Sequence, residues 1–148
     1  MPVRVMFSDL VGRDVTVSPG EPVTAAACVA VYVTDRLTMA GLALLDLPLS
    51  AYVGGALALL PPGGVADMVE EKDLSPLVLE NVQEVANILA GLFNAPGAAH
   101  VKLYQVYAPG EALPADIRAA AGDLLRRLDL AVSVPGYGAG ALSLVLTD

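Results

Sequence analysis

The sequence has very few of the residues that build metal sites and nucleophilic active sites. Cys28 is its only cysteine and His100 is its only histidine. A lone cysteine cannot form a disulfide within the chain, which is consistent with a reducing compartment, and one Cys with one His cannot supply a transition-metal cluster. Cys28 lies in an apolar run and is interpreted as a small core residue. A Ser-His-Asp or Cys-His mechanism would need His100, and no G-x-S-x-G nucleophile motif accompanies it.

Basic residues are also scarce. Eight Lys and Arg stand against sixteen Asp and Glu, which gives a formal net charge of −8 and a pI near 4.4. Without a basic stripe to displace counterions, a nucleic-acid partner is excluded, and an anionic membrane surface is disfavoured for the same reason. The first residues are too often charged for a secretory signal, and proline and glycine break the longest uncharged run, residues 47–66. We therefore expect no membrane span and a cytoplasmic protein.

Aromatic residues make up only 5% of the chain and tryptophan is absent, whereas apolar residues make up 55%. A chain of 148 residues with this composition predicts one domain, residues 1–148, whose core is built from aliphatic side chains. Part of so much apolar surface is expected to be covered by a partner. We expect a homodimer that forms through sheet edges or through helices rich in small residues.

Local patterns predict an α+β fold in which helices pack on a largely antiparallel sheet. Alternating or β-branched apolar runs indicate strands, and apolar residues at helical spacing indicate helices. The predicted strands are 14–18, 23–34, 37–45, 101–107, 130–134 and 141–146, and the predicted helices are 6–11, 49–60, 75–94 and 115–128. The acidic segment Asp67–Asp73 is interpreted as a linker, and Arg126 and Arg127 as the last turn of helix 115–128. The glycine cluster 136–140 lacks the lysine of a P-loop and a following helix, which favours a hairpin turn.

The helix that begins at Ser75 and Pro76 carries the most informative pattern in the chain. Ser75 is predicted to be its N-cap and Pro76 its first residue. One stripe of this helix is apolar, with Leu77, Val78, Val82, Val85, Ala86, Leu89, Leu92 and Phe93, and the opposite stripe carries Glu80, Glu84, Asn87, Gly91 and Asn94. Residues three apart on a helix are neighbours, so Glu84 and Asn87 are predicted to project side by side.

Residues 84–91 read E-V-A-N-I-L-A-G, which has the form E-x-x-N-x-x-A-G. This resembles the signature helix of the CheC/CheX/FliY phosphatases of bacterial chemotaxis. Glu80 stands where that family has Asp or Ser, and Pro109 lies one residue from the family's usual downstream proline. The resemblance covers the chain from about residue 5 to the end. This sequence departs from the family in two places. Its N-terminal helix is reduced to a stub, and helix 115–128 looks like an insertion between strands.

The resemblance implies hydrolysis of the aspartyl phosphate on a phosphorylated CheY-like response regulator. Asn87 would orient the attacking water, Glu84 would dock on the regulator's active-site lysine, and Glu80 is a possible auxiliary group. The protein would need no cofactor of its own, since the Mg²⁺ belongs to the partner's site. No second E-x-x-N occurs before residue 73, which predicts a single-site, CheX-like protein. The alternative is a non-catalytic CheC/CheX-like module that binds chemotaxis or flagellar-switch proteins.

Overall fold

A six-stranded antiparallel sheet organises the part of the chain that the structure describes, in the order β1-β5-β6-β3-β2-β4. The structure is a computed structural model and describes residues 2–94, 97, 99–123 and 126–147. The predicted α+β class with a largely antiparallel sheet is confirmed. The strands are β1 (Thr16–Pro19), β2 (Cys28–Thr34), β3 (Met39–Leu45), β4 (Val101–Tyr107), β5 (Arg127–Val134) and β6 (Gly138–Leu146), and the helices are α1 (Pro2–Val11), α2 (Leu47–Leu57), α3 (Pro62–Glu71), α4 (Pro76–Leu89) and α5 (Ala115–Gly122). A single 3-10 turn, Ala90–Leu92, continues α4.

Helices lie on both faces of the sheet and bury two separate groups of side chains. Helices α1 to α4 cover one face, where the buried residues include Phe7, Tyr32, Leu49 and Val82. The opposite face of β2 and β3 packs against α5 through Ile117. Because β2 is covered on both sides, six of its seven residues are buried. This explains why the segment is an unbroken apolar run rather than an alternating one.

The acidic segment before α4 is a helix and not the linker that the sequence predicted. Helix α3 begins at Pro62, whose fixed φ suits a first helical position, and it ends where Lys72 adopts a left-handed φ of 55°. Val65 is fully buried, and Met68 and Val69 pack against the same core at helical spacing. Three apolar contacts on one side therefore hold a helix whose other side is charged.

The predicted helix 115–128 is also wrong in its second half. Helix α5 ends at Gly122, and Asp123 is extended at its C-terminus. Arg127 does not lie in a last helical turn: it is the first residue of β5 and pairs with Val145. Residues 124 and 125 lie outside the described residues. Cross-strand pairing with β6 has overridden the helix propensity of this stretch.

Helices α2 and α4 approach each other closely at Gly54. A Cβ atom at this position would lie 2.6 Å from the backbone oxygen of Val78. Gly55 likewise faces Val65 of α3, where a Cβ would lie 2.5 Å from a side-chain carbon. The glycines of α2 therefore allow close packing against α3 and α4 of the same chain. Two kinds of dimer contact were predicted, through small-residue helices and through sheet edges. The glycines of α2 already pack within the chain. The sheet has β1 and β4 as its two edge strands.

No helix in the described ranges combines the length and the apolar character needed to cross a membrane.

Replacing Gly54 by Ala is expected to destabilise the protein, because the added carbon overlaps the Val78 carbonyl. We expect a loss of about 2 kcal/mol in the free energy of unfolding, measured by urea denaturation. Gly64→Ala is the matched control. Gly64 also lies in a helix but has open space around it, so this change should raise the free energy of unfolding by at most about 1 kcal/mol. Similar effects of the two changes would contradict the tight contact between α2 and α4.

Candidate functional site

Helix α4 begins and packs as the sequence predicts. Ser75 is the N-cap, its hydroxyl accepts a hydrogen bond of 3.3 Å from the Val78 amide, and Pro76 is the first helical residue. The buried side of the helix consists of Val78, Val82, Val85, Ala86 and Leu89. Leu77 was assigned to this stripe and is instead 47% exposed. The helix is therefore held to the sheet and to α2 along one side, and its other side is free.

The middle of α4 is fixed from below by a buried tyrosine. The Tyr32 hydroxyl donates a 2.6 Å hydrogen bond to the carbonyl of Ala86, which lies between Glu84 and Asn87 in the chain. The Tyr32 ring is fully buried and packs against Phe93, with ring centroids 4.6 Å apart. Gly41 on β3 leaves space for Phe93, since a Cβ there would lie 2.4 Å from its ring. The hydrogen bond from Tyr32 connects the signature residues to β2, in which six of seven residues are buried.

Glu84 and Asn87 are exposed next to each other on the outer side of α4. Neither side chain forms a hydrogen bond or an ion pair with any residue that the structure describes. A helical spacing of three places their Cβ atoms about 5–6 Å apart. The carboxylate can accept hydrogen bonds, and the amide can both donate and accept. Because α4 contains no Lys or Arg, this surface offers no positive charge to a bound group.

Glu80 lies one turn before Glu84 and is also exposed. It borders a shallow cavity of about 310 Å³, whose other lining residues include Gln83, Ala108 and Glu111. Ala108 and Glu111 flank the turn that contains Pro109, the proline singled out in the sequence. The Glu111 carboxylate accepts a 2.7 Å hydrogen bond from the Ala108 amide and closes this turn. The structure thus brings the Pro109 turn to the same cavity as Glu80.

Two apolar side chains on the same surface were missed from the sequence. Leu77 is 47% exposed and Ile88 is 36% exposed. Seven and four residues separate them from Glu84, so all three lie along one side of the helix. Apolar side chains around a polar pair are typical of surfaces that bind another protein. Counting the apolar positions on both sides of α4, rather than only the dominant stripe, would have found them.

Asn94 belongs to the predicted polar stripe but has a structural contact. Its amide nitrogen donates to the carbonyls of Ala90 and Val101, at 3.1 and 3.0 Å, and its oxygen accepts a 2.8 Å hydrogen bond from the Val101 amide. These bonds connect the end of the 3-10 turn to the first residue of β4. Asn94 therefore holds the site in place, and it is not available to a ligand.

The other candidates from the sequence are not part of the exposed surface around Glu84 and Asn87, although Cys28 borders the cavity beside Glu80. Cys28 is fully buried, which confirms its interpretation as a core residue; burial raises the pKa of its thiol, and a hydrogen bond with Ser50 opposes that rise. His100 is exposed. Gly136, at a φ of +84°, lies in the turn of the β5–β6 hairpin, as predicted, whereas residues 138–140 belong to β6 and not to the turn. Within the described ranges no three His, Cys, Asp or Glu side chains are grouped in a way that could hold a metal ion.

Helix α5 does not obstruct the α4 surface, because it packs on the opposite face of the sheet through Ile117. Helix α2, the only described helix packed extensively along α4, contains neither Glu nor Asn. The described part of the chain therefore has one E-x-x-N surface, and it is open.

The antiparallel sheet with helices α1 to α4 on one face defines the fold of the CheC/CheX/FliY family, which the middle domain of FliM shares. No protein-family model and no curated protein sequence matches the chain.

Three solved structures show this similarity. A chain of the CheX-CheY-BeF3-Mg²⁺ complex from Borrelia burgdorferi superposes with a TM-score of 0.59 at 12% identity, over 97% of this chain and 92% of that one. A chain of the FliM-SpeE complex from H. pylori gives 0.55 at 6% identity, over 97% and 79%. The FliM middle domain from Vibrio alginolyticus gives 0.52 at 11% identity, over 97% and 85%. At identities this low, the structural similarity establishes the fold alone, and the function depends on the residues of the site.

Two asparagines at the end of α4 are expected to respond in opposite ways to the same substitution. Asn87→Ala should change the free energy of unfolding by less than about 0.5 kcal/mol, because its side chain is exposed and unbonded. Asn94→Ala should cost about 2 kcal/mol, because it removes three hydrogen bonds and leaves groups of Val101 without a partner. Chemical denaturation of both variants measures this, and equal losses would contradict the different roles.

The buried Tyr32 hydroxyl predicts a loss of stability at alkaline pH. Burial raises the pKa of Tyr32, whereas tyrosines in the unfolded chain ionise near about pH 10. The unfolded state therefore loses its proton first, and the free energy of unfolding falls as the pH rises above about 10. Tyr32→Phe should show a smaller fall in urea midpoint between neutral and alkaline pH. Burial also raises the pKa of the Cys28 thiol, but this thiol is present in both proteins, so its effect cancels in the comparison. An identical fall in urea midpoint for the wild type and Tyr32→Phe would refute the contribution of Tyr32.

Proposed function

We propose that this protein docks on a phosphorylated CheY-like response regulator through α4 and accelerates hydrolysis of the regulator's aspartyl phosphate. The observation that carries the proposal is the pair Glu84 and Asn87, which is exposed and unbonded on a helix anchored beneath it. The fold supports it, because a chain of a CheX-CheY complex has the same fold. A protein with this role works in the cytoplasm beside its regulator.

An exposed surface without a cation suits a substrate that brings its own charge neutralisation. The aspartyl phosphate of a response regulator lies beside Mg²⁺ and a lysine, so positive charge is already in place around the phosphoryl group. What the second protein has to add is an oriented water molecule. Glu84 and Asn87 do not line the cavity beside Glu80. Small substrates prefer concave sites, so a macromolecular partner suits this surface better.

Asn87 is proposed to position that water. The amide oxygen accepts a hydrogen bond from the water, and the amide nitrogen donates to a phosphoryl oxygen, which aligns the water with the bond that breaks. The water oxygen attacks phosphorus, the bond from phosphorus to the aspartyl oxygen breaks, and the carboxylate leaves with its electron pair. One proton of the water stays on the attacking oxygen, and the other moves to another oxygen of the released phosphate. Asn87 acts by placement and does not need to change its protonation state.

Glu84 is proposed to set the position of α4 on the regulator. Its carboxylate would accept a charge-assisted hydrogen bond from the regulator's lysine. Leu77 and Ile88, on the same side of α4, would cover apolar surface around that contact. Glu80, one turn before Glu84, extends the same side and is a possible auxiliary contact. The net charge of −8 gives little electrostatic steering toward an acidic partner, so association is expected to be slow.

A second function is supported by the similarity to FliM. Structures from two FliM proteins share this fold with TM-scores of 0.55 and 0.52. A non-catalytic module that binds chemotaxis or flagellar-switch proteins would use the same exposed α4 surface. It would bind its partner without changing the rate of phosphate release. The two functions differ in what the amide of Asn87 contributes after binding.

The test is phosphate release from a phosphorylated CheY-like regulator with Mg²⁺, measured with and without this protein. Asn87→Ala should slow the accelerated release about 100-fold and change the affinity for the regulator less than about threefold, because a positioned water matters mainly in the transition state. Glu84→Ala should weaken binding about tenfold, because it removes a charge-assisted contact.

Two exposed residues away from the site provide matched controls. Gln105→Ala removes an amide from β4, and Glu71→Ala removes a carboxylate from the end of α3. Both variants should keep wild-type rates and affinities. Binding by the wild-type protein with phosphate released at the regulator's own rate would refute the phosphatase and leave the binding module. Absence of both binding and acceleration would refute both functions.

A further inference from the structure

A second cavity, of about 360 Å³, lies between α5 and the sheet face opposite to α4. Most of its lining is apolar and includes Val23, Val29, Leu44 and Ala121. Two arginines, Arg118 and Arg127, also border it. Its volume falls within the range of about 300–1,000 Å³ that small-molecule sites occupy. The phosphatase proposal uses none of these residues.

Arg127 is buried and incompletely bonded. Its side chain is 4% exposed, and its Nε donates a 2.9 Å hydrogen bond to the Asp129 carboxylate. Its Nη1 donates to the carbonyls of Ala121 and Asp123 near the end of α5, at 3.3 and 3.0 Å. Its Nη2 has no partner among the described residues and exposes less than 1 Å². A buried guanidinium nitrogen without an acceptor is unfavourable, so a group that accepts a hydrogen bond from it would be stabilised there.

The charges around the cavity leave one cation uncompensated. Asp129 neutralises Arg127, and the same carboxylate oxygen accepts a hydrogen bond from the Ser143 hydroxyl. That hydroxyl in turn accepts a hydrogen bond from the Val23 amide, which ties the cavity wall to the sheet. Arg118 is exposed and forms no ion pair within the described residues. The site therefore offers one net positive charge beside an apolar wall.

We propose that this cavity binds a small organic monoanion, a short-chain carboxylate. Its head group accepts a hydrogen bond from Nη2 of Arg127, and the Arg118 guanidinium can offer the two parallel hydrogen bonds that suit a carboxylate. Its aliphatic chain packs against the apolar lining. A phosphate dianion fits less well, because it would bring a second negative charge with no cation to balance it.

Access to Nη2 requires a small displacement of α5, since that nitrogen is covered. Helix α5 has eight residues, and Ile117 is its only buried side chain. A short helix with a single buried side chain opens at low free-energy cost. Ligand binding should therefore reduce hydrogen exchange of α5 amides, because the occupied cavity holds the helix in place.

The test is a titration of the full chain with hexanoate, and with hexanamide as the uncharged control, followed by amide chemical shifts. Hexanoate should shift residues 23–29 and 115–122, and hexanamide should bind at least about tenfold more weakly because it lacks the charge. Arg118→Gln should weaken hexanoate about fivefold, while Arg36→Gln, the same change at a distant exposed arginine, should not. Ala121→Leu should abolish binding by filling the cavity.

Four outcomes would overturn the proposal. These are no shifts with hexanoate, equal binding of hexanamide, shifts confined to other parts of the chain, and unchanged binding in Ala121→Leu. Arg127 is kept in every variant, because its bonds to Ala121 and Asp123 hold the end of α5 and its removal could unfold that region. Since α4 lies across the sheet, the result is independent of the phosphatase test.

Discussion

The hydrogen bond from Tyr32 to the Ala86 carbonyl determines how α4 lies on the sheet. Tyr32 belongs to β2, which pairs with β3 on one side and with β4 on the other, so the donor sits on a rigid support. A buried hydroxyl has to find an acceptor, and a sliding of α4 along the sheet would separate this pair. The outward direction of Glu84 and Asn87 therefore follows from a contact on the hidden side of the helix. The placement of the two exposed side chains therefore depends on Tyr32, which is itself fully buried.

The α4 surface and the α5 cavity have different electrostatic character. The exposed, unbonded polar side chains of α4 are carboxylates and amides, and the helix carries no cation. On the α5 side a buried ion pair joins Arg127 to Asp129, with Arg118 nearby. In a protein of net charge −8, the lack of Lys and Arg on α4 suits the proposed partner, which would supply the positive charge. The two proposed sites would therefore bind ligands of different charge.

Much of the fold could be predicted from the sequence, because its signals were local. The N-cap at Ser75, the alternation in β4 and the glycine turn between β5 and β6 each depend on neighbouring residues. The errors occurred where distant contacts decide. Helix α3 is held by Val65 packing on α2, and the end of α5 is set by Arg127 joining a strand. Neither contact is indicated by the pattern of the neighbouring residues in the sequence.

The candidate site divides in the same way. The periodicity of α4 was enough to place Glu84 and Asn87 together and exposed. It could not distinguish Asn87 from Asn94, since both are asparagines on the polar side and only a long-range bond to Val101 separates them. The incompletely bonded Arg127 was hidden for a similar reason, because burial of an arginine depends on which elements close over it.

The pairing of β1 with β5 has a consequence for how the chain folds during synthesis. Thr16 pairs with Ser133 and Pro19 with Leu130, so one edge of the sheet joins two strands that are far apart in the sequence. The ribosome releases β1 long before its partner exists, and α1 with β1 must wait unpaired while the centre of the sheet forms. High contact order of this kind slows folding. Strands β5 and β6 thus complete the sheet after the other four have emerged, and the edge strand β1 is protected only when this hairpin has docked.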